Sequence, residues 1–265
     1  DVLVRVIPEV TAATHASVLT GHEGSKFGVP KAQVPALLAR IRGSGRLHLK
    51  GLHAHVGSQI MEPEPLAAAV APLAAMGEFE VYDLGGGLGA RYSYADRPAT
   101  VDAYLEVLIG AAREHLPAAA EIIIEPGRSM VAETTATLYR VVTVKRGSHT
   151  FVAVDGGMGD NLEVALYGQR FEAVLAQRVH EPASEHVIVV GRQCESGDVL
   201  VDGIDLPPAQ VGDLLVVPAT GAYCLTMANN YNGSRRPPLV FVRDGAARAV
   251  LRRETWDDLM ARDLL

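Results

Sequence analysis

From Val2 to Glu125, short apolar runs rich in β-branched residues alternate with stretches of helical periodicity. This alternation constrains the fold more than any other feature of the 265-residue chain. A strand followed by a helix, repeated, builds a parallel sheet covered by helices. The spacing predicts strands at Val2–Ile7, Leu49–Val56, Glu80–Leu84 and Ile122–Glu125. Between them, Val34, Leu37, Leu38 and Ile41 recur at helical spacing, as do Val101, Tyr104, Leu105, Leu108, Ile109 and Ala112. Thr100 is the expected N-cap of the second helix, with Asp102 favourable near its positive end. The alanine-rich run Leu66–Met76 predicts one more helix, with Pro72 awkward in its interior.

After Arg128 the pattern changes. Short β-type runs at Thr134–Val144, Thr150–Val154, His186–Val190, Leu214–Val217 and Leu239–Val242 are separated by Gly, Pro and Asp, which predicts a mostly antiparallel β domain. The expected division is residues 1–132 and residues 133–265. Four βα units fit part of a barrel or an open, doubly wound sheet, and periodicity does not choose between them. A closed barrel needs eight units, so at roughly 30 residues each more than about 100 residues would precede Asp1. The chain opens without Met, inside an apolar run, and reads as the continuation of a longer polypeptide.

With 48% hydrophobic residues the chain can fill a sizeable core. Its formal charge of −7 and lack of basic runs argue against nucleic acid or an anionic membrane as partner. Two cysteines, Cys194 and Cys224, are too few for a disulfide framework, and no stretch resembles a signal peptide, so a cytoplasmic location fits.

Several polar clusters carry chemistry. His53 and His55 share one face of a strand and precede Gly57 and Ser58. They could line a flat cofactor or be satisfied interior histidines; with no third ligand nearby, no metal is expected. Gly85, Gly86 and Gly87 follow a strand and could bring amides close to a phosphate, or form a tight turn. In Glu125-Pro126-Gly127-Arg128, the carboxylate could meet a protonated ring nitrogen and the guanidinium a phosphate or carboxylate; a structural ion pair is the alternative. Cys194, flanked by Gln193 and Glu195 and followed by Asp198, is a candidate proton donor or a buried thiol in an acidic turn. Gly221-Ala222-Tyr223-Cys224 and Asn229–Gly233 look like pocket-lining loops or a series of turns.

In this order, His-x-His-x-Gly-Ser, Gly-Gly-Gly, Glu-Pro-Gly-Arg, Cys-Glu-Ser-Gly-Asp and Gly-Ala-Tyr resemble the pyridoxal-phosphate decarboxylases of the alanine-racemase-like barrel fold, diaminopimelate decarboxylases above all. Ser25–Gly28, Asp155–Met158 and Leu251–Thr255 fit the same resemblance. It implies an α/β fold, the C-terminal half of a (β/α)8 barrel followed by a mostly antiparallel β domain. It also implies pyridoxal 5'-phosphate as cofactor. His55 would stack on its ring, Ser58 and the backbone of Gly85, Gly86 and Gly87 would hold its phosphate, and Glu125 would pair with the ring nitrogen. Pro126 and Gly127 would shape that rim, while Arg128 and Tyr223 would touch cofactor or substrate. Cys194 would protonate the decarboxylated substrate and Glu195 would read its far end. The family's head-to-tail homodimer, in which Cys194 and Glu195 serve the partner's site, is implied as well.

Two departures shape the functional expectation. The family's Schiff-base lysine lies upstream of anything present; the lysines here are Lys26, Lys31, Lys50 and Lys145. Turnover therefore requires that residue from elsewhere, and a catalytically silent homologue acting as a binding partner is the alternative. The second departure is Glu163, which stands where the family has an arginine before Ala-Leu-Tyr, here Ala165-Leu166-Tyr167. An anion there would repel a substrate carboxylate. The expected substrate is a small amino acid: meso-diaminopimelate, giving lysine, or a related diamino-acid or carrier-tethered aminoacyl group met by Glu163 and Tyr167.

Overall fold

The computed structural model describes residues 1–10 and 25–264 and divides into two units. The first comprises Asp1–Arg91 and Ala95–Met130, the second Tyr92–Tyr94 and Val131–Leu265.

Four parallel strands form the first unit's sheet: β1 (Val2–Arg5), β2 (Leu49–His53), β3 (Val81–Asp83) and β4 (Glu121–Ile123). Their spatial order is their order in the chain, β1-β2-β3-β4. A doubly wound sheet reverses direction at a switch point; an unreversed sequence of right-handed crossovers is the winding of a βα barrel. The topology thus resolves what periodicity left open.

The helices bury the faces their spacing predicts. Helix α1 (Val34–Gly43) buries Val34, Leu38 and Ile41, and α4 (Val101–His115) buries Tyr104, Leu108 and Ala112. These stripes join Val4, Leu52, Val56, Tyr82 and Leu84 in one core. Each large apolar side chain removed from water contributes about 1.5–3 kcal/mol. Thr100 caps α4 as expected, its Oγ1 accepting from Ala103 N–H at 3.2 Å.

The expected helix over Leu66–Met76 is instead two, α2 (Glu64–Ala67) and α3 (Val70–Ala74). Pro72 has no N–H for the carbonyl of Ala68, and its ring crowds that carbonyl. The chain turns at Ala68-Ala69, where Ala69 N–H takes the shorter-range bond to Leu66 O at 3.3 Å. Helix α5 (Gly127–Val131) follows β4.

The second unit is built on a six-stranded sheet. Its strands are β5 (Thr137–Arg146), β6 (Thr150–Val154), β7 (Val174–Leu175), β8 (Glu185–Val190), β9 (Val199–Leu206) and β10 (Leu214–Val217), ordered β7-β10-β5-β6-β8-β9. Every neighbouring pair is antiparallel except β6 with β8. Strand β9 carries a bulge, because Val187 pairs with Ile204 and Val189 with Val201. Gly203 takes up the extra residue at φ +84°, a conformation glycine reaches without strain. A separate hairpin joins β11 (Leu239–Arg243) to β12 (Ala246–Leu251). Its turn, Asp244-Gly245, has φ of 51° and 75°, as a tight two-residue hairpin loop requires. Short helices α6 (Glu163–Tyr167), α7 (Cys224–Met227) and α8 (Trp256–Met260) complete the unit. Among the described residues, no helix is long and apolar enough to cross a membrane.

Candidate active site

In parallel βα folds, ligand-binding groups collect beyond the carboxyl ends of the strands. The first unit gathers its polar residues there. The segments after β2 and β3 are tied together, Ile60 N–H donating to Gly87 O and Gly89 N–H to Ile60 O, both at 2.9 Å. Glu125 N–H donates to Gly85 O at 2.8 Å and fixes the segment after β4 against the glycine run.

The three glycines differ in what they do. A Cβ on Gly86 would stand 1.9 Å from Glu125 O, one on Gly85 2.3 Å from Ala54 O, and one on Gly87 2.4 Å from Gly57 O. Their lack of side chains lets three backbone segments meet. The expectation of three amides open to a phosphate is narrowed. Gly85 N–H donates to Asp83 Oδ1 at 2.9 Å and Gly86 N–H to His55 Nδ1 at 3.2 Å. Only Gly87 N–H of the three lacks an acceptor among the described residues.

The bond from Gly86 makes His55 Nδ1 an acceptor, so the ring proton sits on Nε2. Burial first, then the Arg5 guanidinium and His53, lower the pKa of His55 to about 4, while Asp83 pulls the other way. The imidazole is neutral at pH 7 and presents an uncharged flat face. Glu125 lies across Gly86 from it, with its side chain 51% exposed and available to a ligand. Arg128 is buried, at 7% exposure, and its Nε donates to Ser58 Oγ at 3.2 Å. Pro126 O accepts from Ser129 Oγ at 3.0 Å, and Gly127 N–H donates to Glu125 O at 2.8 Å. A Cβ on Gly127 would meet nothing within 4 Å, so that side of the rim is open.

Arg5 and Asp83 gained no role from the sequence, and His53 only the shared one of lining a flat cofactor or filling the interior. Arg5, His53 and Asp83 are register partners across β1, β2 and β3. Donor atoms of His53, Asp83 and Glu125 lie within 4.8 Å of one another. The expectation of no third ligand near His53 is corrected, since the fold brings Asp83 and Glu125 to it from β3 and from just beyond β4. Arg5 also lies over the Phe27 ring, 5.0 Å from its centroid, with Lys26 equally close.

The remaining predicted residues lie in the second unit. Cys194 is exposed, and the neighbouring Glu195 Oε1 accepts a short hydrogen bond from Tyr231 Oη. That bond to the carboxylate raises the Tyr231 pKa and keeps the phenol protonated as donor. Asp198 anchors the loop: it is 3% exposed and accepts from Gln193 N–H and Met158 N–H, both at 2.6 Å. Tyr223 takes a left-handed conformation, φ +64°, immediately before α7, which is uncommon for a residue with a side chain. Behind it, Cys224 Sγ is 3.4 Å from Asn161 Oδ1, which also accepts from Glu163 N–H at 3.2 Å. Glu163 is 2% exposed and Tyr167 half-buried at the end of α6. The pairing of Tyr231 with Glu195 was missed because 36 residues separate them.

The donor set of the first unit fits a flat, phosphate-bearing heteroaromatic ring: a neutral imidazole, an accessible carboxylate, a buried guanidinium and an uncommitted glycine amide. Comparison with known proteins agrees. Residues 1–132 match the family model described as pyridoxal-dependent decarboxylase, pyridoxal binding domain. Diaminopimelate decarboxylase of Bacillus subtilis is 41% identical over 284 residues, covering all of this chain and 64% of the relative. The enzyme of that name from Actinosynnema pretiosum is 45% identical, covering all of this chain and 63% of its own length. A solved diaminopimelate decarboxylase superposes with a TM-score of 0.88 at 32% identity, covering 99% of this chain and 67% of that one. The Helicobacter pylori enzyme complexed with L-lysine gives 0.88 at 29% identity, with 97% and 65% covered. The chain thus spans slightly under two thirds of the length of these curated relatives. The identities, the coverage of both units and the cofactor-shaped rim agree that this chain belongs to the diaminopimelate decarboxylase family of pyridoxal-dependent decarboxylases.

Proposed function

We propose that this chain is the part of a pyridoxal-phosphate-dependent amino-acid decarboxylase that holds the ring and phosphate of the cofactor and supplies the protonating group. The observation that carries the reading is the rim of the first unit, where neutral His55 and accessible Glu125 meet at Gly86 and buried Arg128 is held by Ser58. When bound, pyridoxal phosphate supplies an electron sink for the charge left on the substrate by loss of its α-carboxylate. His55 would lie against the ring face without adding charge. Glu125 would accept a hydrogen bond from the ring nitrogen and keep it protonated. Arg128, oriented by Ser58, and Gly87 N–H hold the phosphate; Gly85 and Gly86 serve by letting the backbone segments close up. Gly127 and Pro126 would border the cofactor, and Tyr223 would touch it as the family resemblance implies.

Cys194 holds a proton on Sγ and delivers it to the decarboxylated carbon. Glu195, steadied by Tyr231, receives the distal ammonium of the substrate. The exposure of Cys194 supports its serving a neighbouring copy, as in a head-to-tail homodimer with shared sites in the cytoplasm. The substrate that fits best is meso-diaminopimelate, with lysine as product. Glu163, although buried in this chain, puts a carboxyl where the family has an arginine, which favours a related substrate whose nearby group is cationic or neutral.

The test joins this chain to the part of the Bacillus subtilis relative that it does not cover, and measures CO₂ release and amine formation from a panel of diamino acids. Cofactor-dependent CO₂ release, slowed at least about a hundredfold by Cys194→Ala as for loss of a general acid, supports the reading. No release from any amino acid, with the intact relative active beside it, refutes it. Glu163→Arg should raise turnover of diaminopimelate relative to other substrates; no gain removes the assignment of Glu163.

A further inference from the structure

The register across the first sheet puts Arg5, His53 and Asp83 in one row at the strand ends, His53 in the middle. Ile123 continues the row on β4, and Glu125 follows two residues later, just past the end of that strand. His53 Nε2 is buried and has no hydrogen-bond partner among the described residues, although Glu125 Oε2 is only 3.5 Å away. The Asp83 carboxylate belongs to the same cluster, within 4.8 Å. A bare imidazole nitrogen would turn its lone pair toward two carboxylates with no donor between them. An Nε2–H satisfies that side of the ring instead.

We infer that His53 is a positioning residue: its Nε2–H lies between the Asp83 and Glu125 carboxylates and tightens onto Glu125 Oε2 when the ring nitrogen of the cofactor engages that carboxylate. This deepens the assignment of Glu125 and rests on it. Donating to Oε2, the N–H orients the Glu125 carboxylate and leaves its other oxygen for the ring nitrogen.

The other charged and titratable groups around the cluster are accounted for. Arg5 flanks His53 from β1 as a full positive charge, its pKa lowered by burial and raised by Glu125. His55 is neutral at pH 7, as described. Tyr104, reaching the cluster from α4, is pushed up to about 12 by burial and by Asp83 and Glu125, so it adds no charge.

The experiment uses the chain with pyridoxine 5'-phosphate, which has the same ring nitrogen and phosphate but no aldehyde, so binding needs no lysine. Nitrogen-15 histidine spectra of the ligand-free chain at pH 7 should give His53 as the Nε2–H tautomer, with its Nε2 resonance moved by Glu125→Gln. Ultraviolet titration of the bound ring should find that His53→Phe weakens binding about tenfold and lowers the pH at which the ring nitrogen loses its proton, from loss of one hydrogen bond to a charged group. His53→Gln, which keeps an N–H, should stay within about twofold of the unaltered chain by the same reasoning. An Nδ1–H tautomer, or a His53→Phe variant that binds and titrates unchanged, overturns the inference. Should the unaltered chain fail to bind pyridoxine 5'-phosphate, the cofactor reading is what fails. The tautomer and its response to Glu125→Gln then decide the role of His53 by themselves.

Discussion

Gly86 and Gly110 are both glycines of the first unit, and replacing each with alanine should move stability in opposite directions. A Cβ on Gly86 would lie 1.9 Å from Glu125 O and 2.8 Å from Glu125 C, both backbone atoms. Ordinary contact begins near 3.4 Å. The glycine segment and Glu125 would have to separate by about 1.5 Å (3.4 − 1.9). Inserting one methyl group into packed surroundings costs about 1–3 kcal/mol, and backbone yields less readily than side chain, so the upper end applies. A loss of about 3 kcal/mol corresponds to a Tm fall of roughly 6–12 °C for a chain of this size class. Gly110 lies in the exposed interior of α4, and its Cβ would meet nothing within 4 Å. Gly110→Ala should therefore stabilise by about 0.5–1 kcal/mol, the entropy a helix loses to glycine. Urea unfolding followed by circular dichroism measures both. Gly86→Ala within about 0.5 kcal/mol of the unaltered chain, well below the overpacking range, would refute the close approach from which the site geometry is argued.

His55 has a folded pKa of about 4, below its ordinary 6.5, so the unfolded chain takes up the proton first. The stability gained by keeping it neutral is complete above about pH 6.5 and is lost as pH falls toward 4. Urea midpoints at pH 7 and pH 5 should fall less in His55→Gln than in the unaltered chain; parallel falls would contradict the assignment. Asp198→Ala strips one buried and one part-buried amide of their acceptor and should cost about 2–4 kcal/mol, with faster hydrogen exchange at Met158 and Gln193. Thr100→Ala should cost about 1 kcal/mol in urea unfolding, from the lost cap on α4.

Local patterns were legible where local physics decides. Helical spacing marked the buried stripes of α1 and α4, and Thr100 marked the start of α4. Alternation identified the four parallel strands, although Val56 and Glu125 fall beyond the ends of β2 and β4. Pro72 was noticed in Leu66–Met76, and its missing N–H did break that helix. β9 escaped notice because Asp202-Gly203 interrupts its alternation at the bulge. The β12 signal was present in Asp244-Gly245, the turn that returns β11 onto it.

At the site, residue types were legible and their partners were not. Gly85, Gly86 and Gly87 announced a close approach, but spacing could not say that two of their amides would be taken by Asp83 and His55. The row of Arg5, His53 and Asp83 exists only once three strands fix their register, across 48 residues for the first pair. Tyr231 and Glu195 likewise meet through the fold of the second unit.

The central claim is that the rim of the first unit holds pyridoxal 5'-phosphate with its ring nitrogen facing Glu125. A crystal structure of the chain with that molecule tests it most directly. The account predicts the ring against His55, the nitrogen within hydrogen-bond distance of the Glu125 carboxylate, and the phosphate between Gly87 N–H and the Arg128–Ser58 pair. A phosphate bound elsewhere, or a ring whose nitrogen turns away from Glu125, would contradict it.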